Sequence, residues 1–289
     1  MRSFTALVNP ISGGGRAAKH WEPLAERILT AGARVSVELT RSREHAIEAA
    51  SAAAARGDVV VAVGGDGLVR DVAGAAVASG GLLGIVPAGR GNDLARVLRI
   101  PTDVDALASL LLDGPPRTID VLEVNGTIVP GNVYAGLDSV ANRIINRSRW
   151  IPGALLYRLA PIRAIATWKA PTYTICADGV TTTVKAHMVV LANSGAYGNG
   201  LQMVPPAKMD DGLLDVLIVG DTPRRAVVAF MREAERGTHI NRPEVSLSTA
   251  REVTLSADRR LPVCGDGDEL GHLPITVRIR PGALQILAP

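Results

Sequence analysis

The most informative segment of the chain is Val59-Val60-Val61-Ala62-Val63-Gly64-Gly65-Asp66-Gly67. A β-branched apolar run that ends in glycines and one carboxylate predicts a buried strand that stops at a tight turn. Glycines let the backbone approach a ligand closely, and a helix that begins there directs its free N–H groups at an anion. Residues 64–67, called here the Asp66 turn, are therefore a candidate phosphate-binding turn.

Two more glycine-rich turns follow apolar runs in the first third of the chain. Asn-Pro-Ile-Ser-Gly-Gly-Gly at residues 9–15, the Asn9 turn, comes after residues 6–8. Pro-Ala-Gly-Arg-Gly-Asn-Asp at residues 87–93, the Arg90 turn, comes after residues 82–86. Because the carboxyl ends of parallel strands meet at one edge of a sheet, the three turns predict one phosphate-binding crevice.

Size and composition bound the class of protein. The chain has 289 residues, 47% of them hydrophobic and 20% charged, which indicates a globular protein of one large or two ordinary domains. A formal net charge of +3 is too small to indicate nucleic-acid binding, and no nucleic-acid partner is predicted. Cys176 and Cys264 lie far apart, so neither a disulfide framework nor a zinc site is predicted.

Contact with a membrane is predicted only at its surface. The sequence has no signal-peptide pattern and no uncharged apolar run of about 18 residues, so we expect a cytoplasmic chain without a transmembrane helix. Residues 143–169 are basic and carry Trp150, Tyr157 and Trp168. Such a segment either rests on an anionic membrane or packs one face on a domain, and both interpretations stay open.

Strand and helix patterns alternate over residues 1–125. Strands are predicted at residues 4–8, 35–39, 59–63 and 83–86, and helices at 19–30, 46–55, 68–78 and in the region up to 112. This alternation predicts a doubly wound α/β domain.

Short strand patterns dominate after residue 125, with one predicted helix at residues 224–236. The runs lie at residues 172–177, 181–185, 188–192, 213–219, 245–248, 253–256, 275–279 and 284–287, after an earlier strand at 118–124. Asp178-Gly179 between β-branched arms is a hairpin signal. We therefore expect a β-rich, sandwich-like second domain over residues 126–279, with residues 280–289 returning to complete the first domain.

The order of motifs along the chain resembles one family. Asn-Pro-x-Ser-Gly, Gly-Gly-Asp-Gly and Gly-x-Gly-Asn-Asp-Leu-Ala-Arg are followed by Asn193-Ser194, Gly198-x-Gly200, Pro205, residues 210–215 and Asp266-Gly267-Asp268. This series is similar to the diacylglycerol kinase catalytic family, which includes bacterial lipid kinases and sphingosine kinases. The resemblance covers essentially the whole chain. It implies a first domain like those of NAD kinases and phosphofructokinases.

Nucleotide binding is what the resemblance implies for the glycine turns. The candidate ATP-binding residues are Asn9, Ser12, Gly13, Gly14, Arg16, Thr40, Gly64, Gly65, Asp66, Gly67, Gly89, Arg90, Asn92 and Asp93. In the Asn9 turn, glycines expose backbone donors and Arg16 adds a cation. Thr40 suits a helix N-cap region equally well, and that alternative stays open.

Acidic residues carry the chemistry that the resemblance implies. Asp266-Gly267-Asp268 is similar to the family's Asp-Gly-Glu motif, so Asp268 is the expected general base and Asp266 its neighbour in positioning or metal binding. Taken alone, the same tripeptide would indicate a surface turn. An acidic network for Mg²⁺ is expected from Asp66, Asp93 and Asp120, although Asp93 also suits a helix N-cap.

A second, structural Mg²⁺ site is implied at residues 208–213. In the family one aspartate and two main-chain carbonyls bind the ion, which here would be Asp211 with the carbonyls of Lys208 and Leu213. Hard cations accept such oxygen ligands. A plain turn before a strand is the alternative.

The chain departs from the family pattern at four places. Leu68 stands where the family has Thr after the Asp66 turn, and Arg70-Asp71 replaces a polar Asn-Glu pair. Arg90 replaces a second Thr, and Asp268 is one methylene shorter than the usual Glu. Arginine holds phosphate through a planar fork, and every carboxylate of the implied mechanism is present, so an active enzyme is favoured.

The sequence thus predicts an ATP- and Mg²⁺-dependent lipid kinase that converts diacylglycerol to phosphatidic acid at the inner face of the membrane. A kinase of another acceptor, such as a sphingoid base, another lipid or NAD, stays open, as does a non-catalytic nucleotide- or lipid-binding protein. A Rossmann dehydrogenase is disfavoured because the Asn9 turn lacks GxGxxG and no acidic residue ends the second strand. The oligomeric state, including a homodimer, is left open.

Overall fold

A four-stranded parallel sheet forms the first part of the molecule. The computed structural model describes residues 1–147, 168–223 and 226–289. The parallel strands stand in the order β4-β3-β1-β2 and comprise β1 (Ser3–Val8), β2 (Arg34–Leu39), β3 (Val59–Gly64) and β4 (Leu82–Pro87). Every residue of β3 is buried, as its continuous apolar run predicts for a parallel strand covered on both faces.

Helices follow the strands in alternation. They are α1 (Ala17–Thr30), α2 (Arg43–Ala55), α3 (Asp66–Ser79), the short α4 (Asp93–Val97) and α5 (Val104–Asp113). Helix α1 buries Trp21, Leu24 and Ile28, whose spacing places them on one face. The Ser42 side chain accepts a hydrogen bond from the amide of His45 and so caps α2. The predicted doubly wound α/β class is confirmed.

Eleven further strands and two further helices make up the rest of the described chain. The strands are β5 (Pro116–Val124), β6 (Thr127–Val129), β7 (Asn132–Gly136), β8 (Thr172–Ala177), β9 (Val180–Ala192), β10 (Leu214–Gly220), β11 (Val245–Ala250), β12 (Glu252–Ala257), β13 (Pro262–Gly265), β14 (Asp268–His272) and β15 (Ile275–Leu287). The helices are α6 (Leu137–Arg147) and α7 (Val227–Ala234).

These strands form a sandwich of two antiparallel sheets. One sheet has the order β6-β5-β15-β12-β8-β9, and the other has the order β14-β13-β7-β9-β10-β11. The first half of β9 pairs with β8, and its second half pairs with β7 and β10. Fully buried residues from both sheets fill the space between them, among them Leu122, Val189, Val253 and Val277. The predicted β-sandwich-like class is confirmed.

Strand β15 joins the sandwich to the parallel sheet. Its first half pairs with β12, and Gln285 and Ile286 then pair in parallel with β4. The predicted runs at 275–279 and 284–287 are one strand, because the register shift between Arg280 and Leu284 is a bulge rather than a break. The division of the chain at residue 125 stays a prediction.

Other differences from the predicted elements are local. Runs 181–185 and 188–192 form the single strand β9, and the short strands β6, β7, β13 and β14 carry too few alternating residues to be recognised. The predicted helix at 224–236 is observed as α7. Most of the basic segment 143–169 lies outside the described residues. Over the described part of the chain, no helix is long and apolar enough to cross a membrane.

Tyr173 provides a test of the contact between the two sheets. Its side chain is fully buried on β8, and its hydroxyl donates a 3.1 Å hydrogen bond to the carbonyl of Ala135 on β7. Tyr173→Phe removes this hydrogen bond, so we expect a loss of about 1 kcal/mol in the free energy of unfolding, measured in urea. Thr276→Val, which removes a hydroxyl at the sheet surface, is the control and should change stability by less than about 0.5 kcal/mol. Equal effects would contradict the assignment.

Candidate functional site

Three glycine-rich turns meet at one edge of the parallel sheet, where β1, β3 and β4 end as neighbours. A Cβ atom on Gly89 would lie 2.4 Å from the Cα of Gly65, and one on Gly13 would lie 2.6 Å from the carbonyl oxygen of Ala88. No side chain fits at these approaches, so glycine is required at both positions. The prediction that the turns meet at one edge of the sheet is confirmed, while a phosphate-binding crevice between them stays a prediction.

Asp66 ties its own turn to the Arg90 turn. Its Oδ2 accepts the amide of Asn92 at 2.8 Å, and its Oδ1 accepts the amide of Asp93 at 2.7 Å. Burial, followed by the negative charge of Asp93, raises the pKa of Asp66 above its ordinary value. Within the Arg90 turn the Asn92 side chain accepts the amide of Gly89 at 2.8 Å. The turn is therefore held in a fixed shape from both sides.

The Asn9 turn exposes backbone because it contains three consecutive glycines. Gly13, Gly14 and Gly15 have φ angles of 60°, 71° and 85°, which other residues rarely adopt. A short 3₁₀ helix, Ser12–Gly14, leads through them to α1, and Nε of Arg16 donates to the carbonyl of Gly13 at 2.9 Å.

Three other predicted binding residues surround these turns. The Asn9 amide donates to the carbonyl of Val63, which ties the turn to the end of β3. Thr40 is buried beside the end of β1, and its amide donates to the carbonyl of Val8 at 2.9 Å. Arg90 is exposed and makes no hydrogen bond or ion pair with the described residues, so its charge is available at the rim of the crevice.

Asp93 joins the α/β part to the sandwich. Its Oδ2 accepts the amide of Gly198 at 2.8 Å, and its Oδ1 accepts the amide of Asn199 at 2.9 Å. The loop that carries these amides is closed by a bridge between Tyr197 and Leu201. Asp93 therefore holds one wall of the crevice against the other.

Asp266 and Gly267 form the tight turn between β13 and β14. Both have positive φ angles, 47° and 86°, which indicates a two-residue hairpin turn that suits Asp-Gly. The Asp266 carboxylate accepts the amides of Gly131 at 3.0 Å and Asn132 at 2.9 Å. Burial raises the pKa of Asp266 to about 7.

Asp268 faces the Asp66 turn across the crevice. A Cβ atom on Gly67 would lie 2.7 Å from Oδ2 of Asp268, so the two turns are in direct contact. The Asp268 side chain is 48% exposed, and the same oxygen lies 3.0 Å from Nη1 of Arg70. The structure thus places a half-exposed carboxylate opposite the glycine-rich turns.

Asp120 lies in a separate hydrogen-bond network from Asp66. It is buried, and its carboxylate accepts the amides of Gly212 and Gly282, both at 2.7 Å. These bonds fix the loop at residues 208–213 and the bulge of β15. Asp120 is therefore placed beside the second predicted metal site rather than in the crevice.

The loop at residues 208–213 presents oxygen atoms at the surface. Asp211 is exposed and accepts the amide of Leu213 at 3.0 Å, and Lys208 is also exposed. Nearby Asp215 is buried, and burial followed by the charge of Asp211 raises its pKa to about 6. Neighbouring carboxylates of this kind fit a divalent cation. Over the described residues, no three His, Cys, Asp or Glu side chains converge on a metal-binding point.

Sequence reasoning missed several residues that shape the site. Gly131 and Asn132 bind Asp266 through backbone amides, which no side-chain pattern reveals. Nδ2 of Asn142 on α6 donates to the carbonyl of Gly267 at 2.7 Å. Arg70 was recognised only as a departure from the family pattern.

Comparison with known proteins identifies relatives of both parts of the chain. Residues 3–124 match the model of the diacylglycerol kinase catalytic domain, and residues 131–288 match that of the YegS C-terminal NAD kinase beta sandwich-like domain. A protein named diacylglycerol kinase from Mycobacterium tuberculosis (strain CDC 1551 / Oshkosh) is 32% identical over 299 residues, covering 99% of this chain and 94% of that one. One of the same name from Bacillus subtilis (strain 168) is 26% identical over 279 residues, covering 95% and 92%.

Solved structures share the fold. One from Bacillus anthracis str. Sterne has a TM-score of 0.82 at 21% identity and covers 100% of this chain and 95% of that chain. A second from the same organism, titled as a diacylglycerol kinase, has a TM-score of 0.76 at 19% identity, covering 100% and 97%. At these identities the likeness supports the architecture.

The link made by Asp93 can be tested by hydrogen exchange. Asp93→Asn replaces one acceptor oxygen by an NH₂ group that faces an amide donor. We expect the amides of Gly198 and Asn199 to exchange at least about tenfold faster. Asp211→Asn, at an exposed carboxylate that accepts only from its own loop, is the control and should leave both amides unchanged. Unchanged exchange in Asp93→Asn would refute the link.

The carboxylate of Asp138 should make the free energy of unfolding depend on pH. Burial raises its pKa to about 6, and Oδ2 accepts the hydroxyl of Tyr197 at 2.8 Å. Because the folded-state pKa lies above the unfolded value, folding takes up a proton, and the free energy of unfolding falls as the pH rises from about 4 to 6. Asp138→Asn should reduce this fall by up to about 3 kcal/mol in urea titrations at several pH values. An unchanged slope of the free energy of unfolding against pH would show that folding does not raise the pKa of Asp138.

Proposed function

The chain belongs to the diacylglycerol kinase family, and from this premise we propose that it transfers the γ-phosphoryl group of ATP to the hydroxyl of diacylglycerol, giving phosphatidic acid. The observation that carries the proposal is the contact of residues 266–268, called here the Asp268 turn, with the Asp66 turn. This contact sets a half-exposed carboxylate against the glycine-rich turns. Phosphoryl transfer needs these two elements together.

Backbone donors and two exposed cations suit the nucleotide phosphates. The N-terminus of α3 lies at the Asp66 turn, where free N–H groups and the helix dipole favour an anion. Arg16 and Arg90 are exposed on the neighbouring turns. Arg90 replaces the family's Thr, and its guanidinium can hold phosphate in place of the missing hydroxyl.

Asp268 is the proposed general base. The acceptor hydroxyl loses its proton to the Asp268 carboxylate while its oxygen bonds to the γ-phosphorus. The bond from that phosphorus to the bridging oxygen breaks, and ADP leaves with the electron pair. Asp266, held by the two amides of Gly131 and Asn132, fixes the turn that carries the base.

Carboxylates in two places fit Mg²⁺. In the crevice, Asp66, Asp93 and Asp266 would hold an ion, directly or through its waters. Burial, followed by the charge of Asp93, raises the pKa of Asp66, and the charge of Asp66 adds to the burial that raises the pKa of Asp266. Mg²⁺ bound there would neutralise negative charge on the phosphates. At the second place, Asp211 with the carbonyls of Lys208 and Leu213 would hold a structural ion, with Asp120 fixing the loop.

The acceptor sets where the enzyme acts. Diacylglycerol resides in membranes, so the proposed reaction requires peripheral association of this chain with the inner face of a membrane. Curated relatives named diacylglycerol kinase support this choice of acceptor over sphingoid bases or NAD.

A direct assay tests the proposal. The protein is incubated with γ-labelled ATP and diacylglycerol in mixed micelles with Mg²⁺, beside Asp268→Ala and Asp268→Asn. We expect labelled phosphatidic acid from the unmutated protein and a loss of at least about 100-fold in kcat for both variants, with ATP affinity nearly intact. The control is Asp105→Asn, at a surface residue of α5 that forms an ion pair with Arg27 of α1.

Three outcomes would contradict the proposal in different ways. Full turnover in Asp268→Ala would remove the assignment of the base. A lack of phosphatidic acid together with labelling of a sphingoid base or NAD in parallel reactions would replace the acceptor. No labelled product from any acceptor would favour a non-catalytic binding protein.

A further inference from the structure

Arg70 is a buried cation one turn into α3, just beyond the Asp66 turn. Only 5% of its side chain is exposed, on a helix whose neighbouring residues Val69 and Val72 belong to the apolar core. A buried guanidinium is tolerated only when its donors are paired. The partners of the Arg70 guanidinium therefore indicate its role.

One side of the guanidinium is used by Asp71. Nε and Nη2 of Arg70 donate to Oδ1 of Asp71 at 3.3 Å and 3.0 Å. Nε of Arg43 lies 3.0 Å from the same oxygen. Asp71 is thus shared between two arginines, and its two hydrogen bonds with Arg70 fix the orientation of the Arg70 fork.

The other side of the guanidinium reaches the Asp268 turn. Nη1 of Arg70 lies 3.0 Å from Oδ2 of Asp268 and 3.4 Å from the carbonyl oxygen of Gly265. Although burial opposes its charge, the carboxylates of Asp71 and Asp268 raise the pKa of Arg70. Oδ1 of Asp268 makes no hydrogen bond with the described residues, so one oxygen is fixed and the other is available. Oδ2 also lies against Gly67, which restricts the carboxylate from a second direction.

The two partners are both departures from the family pattern noted above. Arg70 stands at the family's Asn, and Asp268 stands at its Glu. A carboxylate one methylene shorter reaches less far into the crevice and needs a longer donor to hold it. A displacement of about 1 Å in a catalytic group can cost about 100-fold in rate. The shorter side chain at position 268 therefore requires a longer donor at position 70 to hold its carboxylate in place.

We propose that Arg70 is a positioning residue that holds the Asp268 carboxylate in place for proton abstraction, and that Arg70 and Asp268 together replace the Asn and Glu of the family. This inference rests on the proposed function. Arg70 does not touch the substrates in this mechanism. It acts through Asp268, and Asp71 fixes its orientation.

A set of variants at the two positions tests the proposal. We expect Arg70→Asn to lower kcat for diacylglycerol phosphorylation by at least about 30-fold with the KM for ATP within about threefold, because only the base is displaced. Arg70→Lys keeps the charge without the fork and should be intermediate. Asp268→Glu alone should lose about tenfold or more, since the longer side chain meets Gly67 and Arg70. The double variant Arg70→Asn with Asp268→Glu should regain at least about tenfold over Arg70→Asn.

Arg43→Gln is the matched control. It removes the second arginine from Asp71 without touching Asp268, so kcat should stay within about threefold of the unmutated protein. Equal losses in Arg43→Gln and Arg70→Asn would show that the network is only structural and would overturn the proposal. So would kcat within about threefold of the unmutated protein in Arg70→Asn, or a double variant no better than the product of the single effects.

A second measurement does not depend on turnover. Urea unfolding of Arg70→Asn, Asp268→Asn and their combination forms a double-mutant cycle, in which we expect the combined loss of stability to be smaller than the sum of the single losses. Additive losses would overturn the contact itself. A different outcome is that the double-mutant cycle shows coupling but the unmutated protein phosphorylates no acceptor. This would overturn the proposed function and leave Arg70 as a structural partner of Asp268.

Discussion

Close backbone packing between the Asp66 turn and the Arg90 turn is the constraint on which the site depends. Gly65 and Gly89 approach so closely that a Cβ on either would meet the other's main chain. The approach is held by the two amide hydrogen bonds that Asp66 accepts from Asn92 and Asp93. Small residues and one carboxylate thus create a surface of backbone donors, which is what a polyphosphate requires.

The second half of the molecule is fixed to this surface at several independent points. Strand β15 continues from the sandwich into the parallel sheet beside β4. Asp93 binds the loop at Gly198, and Asp120 binds Gly212 and Gly282. Asp93 and Asp120 each accept two backbone amides from distant parts of the chain. Such bonds are strong because the acceptor is charged, and they define geometry because they come in pairs.

Negative charge accumulates where these bonds bring the two halves together. Asp66 and Asp266 have raised pKa values because burial disfavours their charge and neighbouring carboxylates add to the cost. Arg70 offsets part of this charge at Asp268, and the exposed Arg16 and Arg90 lie outside it. The crevice is therefore acidic at its centre and basic at its rim. That distribution suits a substrate that arrives as a phosphate with its own cation.

Local patterns in the sequence determined the fold class, the three turns and the hairpin at Asp178-Gly179, because hydrophobic period and glycine position are properties of neighbouring residues. They did not determine the single course of β9 and β15 or the short strands β7 and β13, whose pairing depends on distant partners. The resemblance also implied that Asp66 and Asp120 belong to one acidic network. They lie in separate networks, since each carboxylate binds the amides nearest to it in space. Only the tertiary structure could place Arg70 against Asp268, because they lie 198 positions apart in the chain and no local pattern encodes that contact.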